Sequence, residues 1–158
     1  MKFRVEREVL AEALGAAARV ASTRNNAMPA LSGVRIEVTG DKLLLSCTDN
    51  DLSVQFVLNV GGQEDGVVVA SAKLMSDIVR SMSEGKVTVE TAGETVSVSS
   101  GRAQFTVPTF AATDFPNIVQ ASAPPVTLAA SVFADALRQV VRAALGRSGK
   151  KAPAPLPL

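Results

Sequence analysis

The chain has 158 residues, 47% hydrophobic and 20% charged, which is enough apolar material for one packed domain and a remainder and excludes a disordered or fibrous chain. Sixteen basic against fifteen acidic residues leave a net charge of +1, so no bulk basic field announces a polyanionic ligand, and any phosphate contact has to come from local placement. One cysteine, Cys47, excludes an intrachain disulfide framework; with no apolar run near membrane-spanning length and no signal-like start at Met1-Lys-Phe-Arg4, a cytoplasmic protein is expected.

Phe3 and Val5 alternate with Arg4, which predicts a short half-buried strand. Residues 6–21 then read as a helix, with Val9, Leu10, Ala13, Leu14, Ala17 and Ala21 as the apolar stripe and Glu8, Glu12, Gly15 and Arg19 opposite. Residues 22–26 form a polar loop, and Pro29 and Gly33 mark the return to extended chain. A meander of strands over 34–38, 43–47 and 52–60 follows, its turns at Thr39-Gly-Asp-Lys42 and Thr48-Asp-Asn-Asp51. Residues 61–66 read as a flexible glycine-rich connector, and 67–70 as a buried strand. Ser71 is a candidate N-cap for a helix over 72–82, with Leu74, Met75, Ile78, Val79 and Met82 inward and Lys73, Asp77 and Arg80 outward.

A second meander occupies 87–91, 95–99 and 102–107, and a Pro-terminated loop covers 109–117. The segments assign a first domain to 1–120, a linker to 121–125 and the incomplete start of a second domain to 126–147. That start comprises a strand over 126–128 and a helix over 133–145. The Pro-rich tail over 148–158 is expected to be disordered.

Two repeats organise these elements. Leu10-Ala-Glu-Ala-Leu14 lies over Phe133-Ala-Asp-Ala-Leu137 at an offset of 123, which also superposes Val5 on Leu128, Val9 on Val132 and Arg24 on Arg147. Inside the first domain, residues 34–46 lie over 87–99 at an offset of 53, each copy preceded by a helix and followed by one more strand. The expected fold class is therefore α+β, a duplicated βαβββ unit with two helices packed on antiparallel sheets.

Several motifs stand beside this plan: Met1-Lys-Phe-x-Val-Glu-Arg7, Pro29-x-Leu31-x-Gly33, Thr48-Asp49 and Asp77-Ile78 with Arg80. The most specific is Ser100-Gly101-Arg102-x-x-Phe105 leading to Ala112-x-Asp114-Phe115-Pro116-Asn117. Together they resemble the bacterial replicative sliding clamps, the β subunits of DNA polymerase III, over the first domain and the start of the second. The resemblance implies a DNA clamp fold and a non-catalytic processivity component of the polymerase, with no cofactor or metal and no membrane. Two three-domain subunits would close head to tail around duplex DNA, touching its phosphates without reading sequence. It further implies a polymerase and clamp-loader groove between second and third domains, so a chain of this extent is expected to be a fragment or truncated form that makes no ordinary ring alone. The alternative is a clamp-derived interaction protein that caps intact clamps through the edge strand over 102–107.

Carried over residue by residue, the resemblance makes Arg24, Lys73, Arg80 and Arg147 candidate DNA contacts. Arg102, Gln104, Phe105 and Val107 become candidate subunit-interface residues. Plainer roles stand beside these: Arg24 as a solvated loop residue near a helix end, Lys73 and Arg80 in an ion-pair network with Asp77, and Phe105 as a core aromatic. Thr48–Asp51 lacks the glycine and distant glutamate of a calcium loop and reads as a hairpin turn. Cys47, in a chain without histidine, reads as a buried structural thiol, and no catalytic constellation is found.

Overall fold

The computed structural model describes residues 1–21, 28–118 and 127–145. Met1–Val119 forms one compact unit and Gln120–Leu158 another. The first unit runs β1 (Lys2–Glu6), α1 (Arg7–Val20), a 3₁₀ turn (Pro29–Ser32), β2 (Gly33–Thr39), β3 (Lys42–Thr48), β4 (Ser53–Asn59), β5 (Gly61–Glu64) and β6 (Gly66–Ser71). Its second half runs α2 (Ala72–Ser81), β7 (Lys86–Ala92), β8 (Thr95–Ser100), β9 (Ala103–Phe110) and a second 3₁₀ turn (Ala112–Asp114). The strands lie in the order β4-β3-β2-β6-β9-β8-β7-β1-β5 with every pair antiparallel.

The two halves exchange their first strands. β1 pairs with β7 along Lys2–Glu6, and β6 pairs with β2 from Gly33↔Ser71 to Val38↔Gly66. Each meander thus borrows the opening strand of the other half, and neither half completes its sheet alone. β2 and β8 alternate along the chain, Val34, Ile36 and Val38 on β2 and Val96 and Val98 on β8 belonging to one common core. Phe3, Leu10, Leu14, Leu31, Leu43, Leu45 and Met75 are fully buried, each contributing about 1.5–3 kcal/mol of apolar transfer. α1 and α2 pack against each other and both touch β2. Ser71 caps α2 as its type predicts, its hydroxyl accepting the Leu74 N–H at 3.4 Å.

Several expectations are corrected. The supposed connector over 61–66 contains β5, which pairs with β1 through Lys2↔Glu64, Phe3↔Gly62 and Arg4↔Gly61. On α1, Val9 is exposed and Gly15 is buried, the reverse of the apolar count, because α2 lies along the Gly15 side. Leu74 likewise faces solvent while Ser76 is buried. β9 runs on to Phe110 because Thr109 and Phe110 meet Ala70 and Val69 of β6. In the second unit the helix α3 spans Ala130–Leu145, and residues 127–129 form no strand, having no pairing partner among the described residues. The linker and tail expectations fall on residues outside the described ones.

Candidate nucleic-acid face and subunit edge

Lys73 and Arg80 are both exposed on α2, on the turns that leave Met75 and Val79 to the core. The network expected of them with Asp77 is not formed: among the described residues no ion pair joins Lys73, Asp77 or Arg80 to any partner. Arg19, in the last turn of α1, is likewise exposed and without an ion pair among the described residues. Arg24 and Arg147 lie outside the described residues.

The edge is built by β9. Ala103–Pro108 pairs with β8 from Ser100↔Ala103 to Thr95↔Pro108, and only Thr109 and Phe110 reach β6. The other side of Ala103–Pro108 has no strand beside it among the described residues. The Thr109 N–H donates to the Glu94 carbonyl at 3.0 Å, so by antiparallel alternation the Val107 and Phe105 amides turn toward β8. Those of Gln104 and Thr106 turn outward, and Pro108 has no N–H to offer. The open side therefore carries two unsatisfied donors and ends in a proline. Phe105 sits opposite Val98 and is 41% exposed, which removes it from the core. Gln104 is tied back to its own sheet by a bond from Nε2 to Ser97 Oγ at 3.1 Å, and Arg102 is exposed in the preceding turn. Val107 is corrected: at 1% exposure its side chain belongs to the core, leaving only its backbone on the edge strand.

Thr48–Asp51 is a hairpin turn. The Asp49 carboxylate accepts the N–H groups of Asp51 and Leu52 at 3.1 and 2.7 Å, Thr48 Oγ accepts that of Asn50, and Asn50 takes a left-handed φ of 80°. Cys47 is fully buried and its thiol donates to the Gly33 carbonyl at 3.3 Å. Burial pushes the thiol from about 9 up to about 11; the Asp49 charge adds to this and the Thr48 backbone bond opposes it. The unfolded chain therefore ionises Cys47 first, so the stability this site contributes is complete below pH 9 and is lost as pH rises to 11, by about 2–3 kcal/mol. Urea melts at pH 8, 9.5 and 11 should show the parent falling toward Cys47→Ala across that window; a constant difference between the two would contradict it.

Among the described residues, no helix is long and apolar enough to cross a membrane. The "Beta sliding clamp" of Streptomyces coelicolor is 35% identical over 144 residues, covering 91% of this chain and 38% of that protein. Among solved structures, the Caulobacter crescentus beta sliding clamp superposes with a TM-score of 0.72 at 30% identity, over 77% of this chain and 33% of that one. A Helicobacter pylori beta clamp in complex with 3,4-difluorobenzamide reaches 0.79 over 95% of this chain and 41% of that one; at 22% identity it speaks for the fold alone. The chain thus spans about two fifths of the length of the Streptomyces coelicolor relative. The family model described as "DNA polymerase III beta subunit, N-terminal domain" matches residues 1–119, and with the exchanged βαβββ halves it is to that family that the chain belongs.

Proposed function

We propose that this chain serves as the first domain of a DNA-encircling clamp, a cytoplasmic, non-catalytic scaffold that keeps a replicative polymerase on its template. In this reading the open side of β9 receives a strand from a partner subunit, with Arg102 and Phe105 beside the seam. The helix face bearing Lys73 and Arg80, with Arg24 and Arg147, meets duplex phosphates without base readout. The observation that carries the reading is the β9 edge, paired with β8 along Ala103–Pro108 on one side while on the other Gln104 and Thr106 keep outward amides next to an exposed aromatic ring. An edge of that kind is a template for strand addition.

Thr106→Pro tests it. Proline there deletes an outward N–H and leaves the bonds to β8 intact, so the variant should melt within about 1 kcal/mol of the parent. Analytical ultracentrifugation with a full-length clamp subunit, the Streptomyces coelicolor protein for example, should show a complex for the parent and none for the variant. A parent that does not associate, or a variant that associates equally well, would refute the edge reading.

A further inference from the structure

Gly15 stands in the middle of α1, where alanine is the better helix former, so its presence there calls for a physical reason. The reason is on the neighbouring helix. A Cβ at Gly15 would meet the Arg80 guanidinium, with Cζ at 3.3 Å, Nε at 3.7 Å and Nη2 nearer than either. Gly15 is buried while Arg80 keeps an exposed side, so the guanidinium crosses from α2 and rests on the bare backbone of α1. No carboxylate among the described residues pairs with it. A planar, five-donor group laid on a flat seat keeps its outer edge free for an oxyanion and is ordered before the ligand arrives.

We propose that Gly15 is a positioning residue: it seats Arg80 at the junction of α1 and α2 so that the guanidinium is preorganised for a phosphate of the duplex backbone. This rests on the nucleic-acid reading given above. Because the atoms a Cβ would displace are the far end of a flexible side chain, Gly15→Ala moves Arg80 off its seat without disturbing the helices, and alanine supports α1. The folded state is therefore kept while the ligand-facing geometry is lost.

The test is the affinity of the full chain for a fluorescent 30-base-pair duplex of arbitrary sequence, at several salt concentrations, with thermal melts alongside. Gly15→Ala should bind roughly three- to tenfold more weakly, the cost of ordering one long side chain at binding, and melt no lower than the parent. Arg80→Lys, which keeps the charge and loses the planar group, should lose affinity to the same extent, and Arg80→Ala should also lower the slope of log K against log salt by about 0.9. In the Arg80→Ala background, Gly15→Ala should have no further effect. Equal loss from Gly15→Ala with and without Arg80, or full affinity in Arg80→Lys, overturns the seat and leaves the nucleic-acid reading standing. No measurable duplex binding by the parent overturns both.

Discussion

Phe105→Ala is expected to weaken association with a full-length clamp subunit by about 30-fold or more while lowering the stability of the chain by no more than about 2 kcal/mol. The two halves of this expectation come from separate observations. An aromatic residue 41% exposed and outside the buried cluster has less burial to lose on truncation within the chain than a core ring has. The same ring lies beside the outward amides of Gln104 and Thr106, so a partner strand added there would cover it and make it a central apolar anchor. Val107→Ala should reverse the pattern, costing stability because that side chain is 1% exposed. Isothermal titration with the clamp subunit and urea melts of both variants decide the matter: a loss of about 3–5 kcal/mol in the Phe105→Ala melt would return the ring to the core.

What could be read from the sequence was whatever one strand or helix states about itself. Ile36, Leu45, Val89 and Val98 are buried as alternation demands, because each meander strand turns one face to the core. The duplication itself was legible at the 53-residue offset, and with it the α+β class. The exchange of β1 and β6 between halves was not, since pairing partners leave no mark on a strand's own period. Gly15 was misplaced for a related reason: hydrophobic counting gives a glycine no side, and its neighbour Arg80 comes from another helix. On β9, the exposure of Arg102 and Phe105 was legible from the Ser100-Gly101 turn, whereas the burial of Val107 was not. β9 passes from an open side at Ala103 to the core and then to β6 within eight residues, so one face of one strand meets two environments.

The glycine stretch after β4 is where sequence and structure part most, and it yields a sharp expectation: Gly62→Ala should destabilise the chain by about 3 kcal/mol, whereas Gly61→Ala should fall within about 0.5 kcal/mol of the parent. A flexible connector would tolerate both changes equally. In the fold, Gly62 stands opposite Phe3 of β1, and its N–H donates to Asp41 Oδ1 at 3.1 Å. The Val60 N–H donates to the Asp41 carbonyl at 2.9 Å, and the Gly40 N–H to Asp65 Oδ1 at 2.8 Å, so the β2–β3 turn is clamped onto the passage from β4 to β6. A Cβ at Gly62 would land on the Gly40 carbonyl, with its carbon at 2.8 Å and the Asp41 nitrogen at 3.6 Å. These are backbone atoms fixed by three hydrogen bonds, and no rotamer change relieves the overlap. At Gly61 the nearest atom is the Arg4 carbonyl oxygen at 3.8 Å, an ordinary contact, and a side chain there gives back some strand propensity. Urea melts of the two variants measure the difference directly; equal midpoints would show that β5 is not held as these contacts require.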